Sequence, residues 1–127
     1  MAVSEGLREL VAETLAPVGW ITFKRMFSGA GVYADGQIFA LIIADVIYFK
    51  SDATTELAFA AEGSAPFSYQ TRHGTRAAMS YWRLPERLLD EPDEMVAWAR
   101  RALAVAQVAA ARKNKKKPRT KMPRSLK

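Results

Sequence analysis

The stretch Val32-Tyr33-Ala34-Asp35-Gly36-Gln37-Ile38-Phe39 decides the fold class of this chain. An Asp-Gly pair between two apolar segments is typical of a two-residue hairpin turn, because glycine adopts a positive φ without steric cost. The flanking residues are mostly β-branched or aromatic, which suits a pleated strand better than a helix. We therefore predict two antiparallel strands that are joined tightly at this point.

Outward from this hairpin, apolar spacing and chain-breaking residues predict further elements on both sides. Before it come a helix that Ser4 caps and Pro17 ends, and a strand over Trp20–Phe27. After it come strands Gln37–Ala44 and Val46–Lys50, a short helix Asp52–Ala61, a hairpin of Phe67–Gln70 with Thr75–Leu84, and a helix of about five turns from Pro92. In the half of the chain up to Lys50, the crossover segments that parallel strands need are missing, so these strands should form an antiparallel meander. The order is helix, three or four strands, helix, two strands, helix, which predicts a two-layer α+β domain with an antiparallel sheet of five or six strands and helices on one face.

The strand Gln37–Ala44 is apolar at both its odd and its even positions. Phe39, Leu41 and Ile43 alternate with Ile38, Ala40 and Ile42. Because successive side chains of a strand point to opposite faces, both faces of the sheet need cover. Helices account for one face, and we predict that a second copy of the chain, as a homodimer, or a partner protein covers the other.

Cysteine is absent from the 127 residues, and His73 is the single histidine. Disulfides, thiolate nucleophiles, cysteine-ligated metal sites and histidine clusters are therefore excluded. His73 lies beside Gly74 at the tip of the second predicted hairpin, a position typical of a solvated loop histidine. The acidic residues of Glu86–Glu94 precede a predicted helix start, where carboxylates stabilise the helix dipole. We predict no catalytic residue, no metal site and no cofactor.

The segment Gly29-Ala30-Gly31-Val32-Tyr33-Ala34 matches the glycine pattern of dinucleotide-binding loops. Such a loop must lead into a helix whose amide groups face the pyrophosphate. Here Asp35-Gly36 turns the chain within a few residues instead. We interpret these glycines as a strand bulge or a tight strand connection.

Charge divides the chain into two parts. Residues 1–111 contain 10 Lys and Arg against 13 Asp and Glu, whereas residues 112–127 contain nine basic residues and no acidic ones. We predict a mildly acidic domain over 1–111, followed by a basic, disordered tail over 112–127. The tail either keeps the domain soluble or tethers it to nucleic acid, and without aromatic residues for base stacking it would bind with little sequence selectivity.

The start of the chain has no basic segment followed by an apolar stretch, so no secretory signal is expected. The longest central apolar run, Ile38–Ala44, is far shorter than the roughly 20 residues of a membrane-spanning helix. We expect a cytoplasmic protein with no membrane partner.

Three blocks of the sequence carry a family likeness. They are Lys24-Arg25-Met26-Phe27-Ser28-Gly29-Ala30-Gly31-Val32-Tyr33, Met79-Ser80-Tyr81-Trp82-Arg83-Leu84-Pro85-Glu86 and Trp98-Ala99-Arg100-Arg101-Ala102. Over Glu5–Ala111 the chain resembles the N-terminal domain of the TfoX/Sxy competence-regulator family, as a stand-alone domain, with Ser28 where the family usually has glycine. The resemblance implies a non-enzymatic regulatory module whose α+β fold is similar to secretion-chaperone-like domains, which often dimerise through their sheets.

Two functional hypotheses follow. The first is a regulatory or protein-interaction module, linked to transcription or competence, whose candidate partner-binding residues are Tyr33, Phe49 and Trp82. The second is a nucleic-acid-binding protein, whose candidate contacts are Lys24, Arg25, Arg72, Arg76, Arg83, Arg112, Lys113, Lys115, Lys116, Lys117 and Arg119. A small-molecule enzyme has no positive support in these residues.

Overall fold

The computed structural model describes residues 4–26 and 29–116 of the chain. The helices are α1 (Glu5–Thr14), α2 (Glu56–Ala61) and α3 (Pro92–Lys116), and short 3-10 turns occupy Ala16–Val18 and Glu86–Asp90. The strands are β1 (Ile21–Met26), β2 (Gly29–Ala34), β3 (Gln37–Ile43), β4 (Val46–Lys50), β5 (Pro66–Thr71) and β6 (Gly74–Arg83). They form one antiparallel sheet in the order β1-β2-β3-β4-β6-β5. Within the described residues, the predicted α+β fold with a six-stranded antiparallel sheet is confirmed.

Two tight turns join β2 to β3 and β3 to β4. Asp35 and Gly36 have φ of 50° and 86°, the left-handed pair that a two-residue turn between twisted strands requires. The turn between β3 and β4 uses Ala44 and Asp45 at φ of 52° and 60°. Ala44 therefore adopts a conformation that usually belongs to glycine or asparagine.

A β-bulge between β2 and β3 decides which β3 residues face the helices. Val32 lies opposite Ala40, but the next residue, Tyr33, lies opposite Ile38. Phe39 is therefore an additional residue, and such a bulge shifts the alternation of side chains. The β3 side chains that join the core with the helices are Phe39, Ala40 and Ile42. The side chains on the other face are Ile38, Leu41 and Ile43. The alternation predicted from the sequence, which grouped Phe39 with Leu41 and Ile43, is wrong by this one shift.

The helices pack on one face of the sheet, as predicted. One core cluster joins the helices to the sheet. It contains Val11 and Leu15 from the first helix and its C-cap, Phe59 of α2, Met95 of α3, and the β3 residues Phe39, Ala40 and Ile42. The largest side chains in this core, such as Phe39, are fully buried, and each such burial contributes about 1.5–3 kcal/mol.

The glycines of β2 serve close packing. A Cβ atom on Gly29 would meet the carbonyl oxygen of Ile42, and one on Gly31 would lie 2.9 Å from Cδ1 of Ile38. Gly29 and Gly31 lie within a strand and no helix follows them, which agrees with the rejection of a dinucleotide-binding loop.

Two helix boundaries differ from the predicted ones. α2 begins at Glu56 rather than Asp52, because the Asp52 carboxylate accepts hydrogen bonds from the amides of Thr54 and Thr55 and holds a turn there. α3 has 25 residues, about seven turns, and so passes through the predicted domain boundary at residue 112. Its alanine and lysine residues favour a helix, so nothing in the sequence stops it before Pro118.

Among the described helices, none combines the length and the apolar character that crossing a membrane would require.

Candidate functional site

The three aromatic residues predicted to bind a partner lie in two different environments. Phe49 is fully buried and Trp82 is 7% exposed, and both belong to the main core cluster. The ring of Phe49 lies 6.1 Å from that of Phe39. The prediction of Phe49 and Trp82 as surface contacts is therefore wrong, since the sheet and the helices enclose them. Tyr33 is half-buried and lies on the opposite side of the sheet.

The sheet face that points away from the helices is here called the open face. Its apolar residues include Met26, Tyr33, Ile38, Leu41, Ile43, Val46 and Tyr48 on β1 to β4, and Tyr81 on β6. Leu41 lies near its centre, opposite Gly31 on one side and Tyr48 on the other. Leu41 is only 4% exposed although it lies outside the main core cluster. The ring of Tyr48 packs edge-on against that of Phe67 at 4.9 Å. Neighbouring side chains of the sheet thus shield one another on a surface that no described helix covers.

Cations flank the open face on both sides. On the edge strand β1, Nζ of Lys24 lies 5.3 Å from the centre of the Tyr33 ring. On β6, Arg83 lies opposite Tyr48 and forms a 3.8 Å ion pair with Glu86, while its side chain remains half exposed. The surface therefore combines an apolar centre with positive charge at its rim.

The predicted nucleic-acid contacts of the sheet do not form one patch. Lys24 and Arg25 are consecutive on β1, so their side chains leave opposite faces. Arg83 lies on a strand four positions away, at roughly 19 Å. Arg72 is exposed in the turn between β5 and β6, and of Arg76 only the backbone, on β6, is described.

Most of the remaining predicted contacts lie in the C-terminal part of α3. Arg112 and Lys113 are exposed on this helix, and Lys115 and Lys116 belong to the same helix. Lys117 and Arg119 lie outside the described residues.

An ionic cluster joins α2 to the start of α3. Arg87 binds the carboxylates of Glu62 at 2.9 Å, Glu91 at 3.0 Å and Glu94 at 2.7 Å. Glu94 also accepts a 3.3 Å hydrogen bond from the indole of Trp98. The hydrogen bonds from Arg87 lower the pKa of Glu62 and bring the pKa of Glu94 down to about 2. Because the three carboxylates share the one guanidinium of Arg87, the cluster holds the end of α2 against the start of α3.

Sequence reasoning missed this cluster. It interpreted the acidic residues before α3 as dipole stabilisers and solvated surface, yet Glu91 and Glu94 bind Arg87. One available signal was the spacing of Arg87 and Glu91, four residues apart, which brings two side chains together on a helical turn. The contribution of Glu62, 25 residues before Arg87, has no such local signal.

The described residues contain no group of three or more carboxylate or histidine side chains placed to bind a metal. His73 is exposed in the turn between β5 and β6, where its backbone amide donates to Oγ1 of Thr71 at 3.1 Å. This position matches the loop histidine expected from the sequence.

The sequence profile described as the TfoX N-terminal domain matches residues 13–106 of the chain. The chain belongs to the TfoX N-terminal domain family. The match confirms the resemblance found in the sequence blocks. No curated protein sequence matches the chain.

The matched range of this TfoX N-terminal domain runs from the end of α1 into α3. It therefore contains the whole sheet, the open face and the Arg87 cluster. The basic residues from Arg112 onward lie beyond it.

Proposed function

We propose that this TfoX N-terminal domain is a non-enzymatic, competence-related regulatory module that binds a protein partner through its open face. The observation that carries the proposal is the apolar surface around Leu41, which lies within the matched range and which no described helix covers. A regulator without catalytic groups acts by binding, so it needs such a surface.

The open face has the dimensions of a transient interface. β1 to β4 together with β6 span about 24 Å at about 4.8 Å per strand, and six strand residues extend about 20 Å. The resulting surface is on the order of 500 Å², below the roughly 800 Å² that each partner of a stable complex buries. The most exposed large hydrophobic residues, Trp20 and Leu57, lie elsewhere. A surface of this size, which is exposed to water in the free domain, is typical of a transient complex whose partner binds and dissociates.

The charges at the rim favour an acidic partner. Lys24 and Arg83 flank the open face, with Glu86 offsetting part of the Arg83 charge, and a second copy packed against this face would bring Lys24 cations to both sides of one interface. An acidic protein surface would instead complement them. The homodimer predicted from the sequence stays a prediction, and the test below separates it from this proposal.

The test places the photocrosslinker p-benzoylphenylalanine at Ile43, which is half-buried at the margin of the open face, in cells of the source organism. The matched control carries it at Leu57, which is 69% exposed on α2 in the helix layer. We expect an adduct with one other protein from position 43 alone. That protein, once purified, should bind the chain, and Ile43→Lys should weaken binding about tenfold, whereas Leu57→Lys should leave it unchanged.

The regulatory part of the proposal has its own readout. A strain with Ile43→Lys should lose competence-gene transcription to the same extent as a deletion strain, and Leu57→Lys should behave like the wild type. If the chain forms adducts with itself and its sedimentation coefficient depends on concentration, the partner at the open face is a second copy of the chain and not an acidic protein. Equal adducts from both positions would refute the open face as a binding surface.

A further inference from the structure

A cleft of about 190 Å³ lies between the C-terminal half of α3 and the end of the sheet where β3 begins and β4 ends. Gln37, Lys50 and Tyr81 line it from the sheet, and Lys113 lines it from α3. Ala106, Ala109 and Ala110 of α3 form the rest of the wall, and their small side chains leave space between the helix and the sheet. The volume corresponds to roughly six water molecules, which admits a small polyatomic anion.

Two lysine side chains border this cleft without a counter-charge. No described carboxylate forms an ion pair with Lys50 or Lys113, whereas Arg87 in the same domain binds three. Nζ of Lys50 lies 5.0 Å from the centre of the Tyr81 ring, so its position is held by the aromatic wall.

The electrostatics of the cleft favour an anion. Burial, and then the charge of Lys113, lower the pKa of Lys50, which means that two cations repel each other there. Burial, and then the neighbouring Tyr33, raise the pKa of Tyr81, so its hydroxyl stays neutral and adds no negative charge. An anion between the two ammonium groups would relieve the repulsion.

We infer that this cleft binds a phosphate group between the ammonium groups of Lys50 and Lys113, with Tyr81 as one wall. The phosphate belongs either to a free phosphate compound or to a nucleic-acid backbone, because both present the same oxygens to lysine. Lys115 and Lys116 follow Lys113 on α3 and add positive charge to this end of the helix.

An exposed tryptophan lies at the same end of the sheet. Trp20 is 76% exposed, and its backbone exchanges two 2.9 Å hydrogen bonds with Asp35. The turn Asp35-Gly36 leads directly into Gln37 of the cleft. Trp20 precedes β1, three strands or about 14 Å from Lys50 on β4, so its indole offers a stacking surface for a base of a longer ligand such as an oligonucleotide.

The test titrates the full chain with inorganic phosphate, with adenosine monophosphate and with a single-stranded oligonucleotide, and follows backbone amide and lysine side-chain NMR signals. We expect the largest shifts at Gln37, Ile38, Lys50, Tyr81 and Lys113, with a further shift at Trp20 for the oligonucleotide, and a rise of the Lys50 pKa on saturation. Lys50→Met should weaken binding about tenfold or more, the effect of losing one charge-assisted contact. Lys113→Met, exposed at the end of a helix, repeats the test without disturbing the sheet. Arg101→Met, exposed on α3 outside the cleft, removes a positive charge from the same helix and is the matched control that should leave binding unchanged.

The three ligands of the titration distinguish a free phosphate compound from a nucleic-acid backbone. Binding of inorganic phosphate or the mononucleotide indicates a free compound, and binding of the oligonucleotide alone indicates a nucleic-acid backbone. In the second case Trp20→Ala should weaken binding further. The inference fails if no ligand shifts the cleft signals, or if Arg101→Met weakens binding as much as Lys50→Met does. The cleft and the open face share Ile38 and Tyr81, but the cross-linking position Ile43 lies outside the cleft, so this failure would leave the test of the partner surface unaffected.

Discussion

Replacing Phe49 by alanine should lower the free energy of unfolding by about 3–5 kcal/mol, the usual cost of removing a buried phenylalanine ring. The side chain is fully buried, and it would leave a cavity next to Phe39, whose ring lies 6.1 Å away. At about 4 °C of melting temperature per kcal/mol for a domain of this size, the melting temperature should fall by about 12–20 °C. Such a loss is a large part of the 5–15 kcal/mol that typically holds a domain together.

Urea unfolding followed by circular dichroism measures this effect, and Tyr33→Ala is the matched control. Because Tyr33 is half-buried on the open face, its truncation should cost less than about 1.5 kcal/mol. Phe49→Leu should cost about 1 kcal/mol and keeps the test informative if the alanine variant does not fold. A Phe49→Ala variant within about 1 kcal/mol of the wild type that no longer binds a partner would show that Phe49 is a contact residue after all.

Three further changes test the fold. Gly29→Ala should cost at least about 2 kcal/mol in urea unfolding, because its Cβ would meet the carbonyl oxygen of Ile42, and an unchanged midpoint would contradict the close packing. The pKa of Glu94 is about 2 instead of 4.5. The stabilisation of the folded state by the ion pair of Glu94 with Arg87 is therefore complete above about pH 5 and is lost as the pH falls towards 2. Melting curves of Glu94→Gln should therefore depend less steeply on pH than those of the wild type, and parallel curves would refute the pairing. Ala44→Gly should raise the melting temperature by about 2–4 °C by relieving a positive φ, and a lower melting temperature would show that the turn is unstrained.

The elements that the sequence predicted well are those with local causes. The Asp35-Gly36 turn was predictable because both residue types adopt a positive φ and the flanking residues favour strands. The Ser4 cap was predictable because its hydroxyl needs only an amide one turn ahead, that of Leu7. The antiparallel sheet of five or six strands was predictable because the connections within the first four strands and within the second hairpin are too short for crossovers.

The elements that were predicted wrongly depend on contacts between distant residues. The bulge at Phe39 arises from the pairing of β2 with β3, and the sequence alternation alone shows no shift there. Phe49 and Trp82 carry side chains that suit a contact surface or a core, and only the packing of helices against the sheet decides between them. The partners of Lys50 in the cleft come from β6 and from α3, so no local pattern indicated the site.

The strand order has a consequence for how the chain folds. In the described sheet, β4 and β6 are the neighbours that are not consecutive in sequence, and they meet over the pairs Tyr48 with Arg83, Phe49 with Trp82, and Lys50 with Tyr81. The first four strands and the β5–β6 hairpin can each nucleate from short-range contacts, whereas this seam must close a loop of roughly 30 residues. Joining the two halves along these three pairs is therefore the long-range event that sets the folding rate.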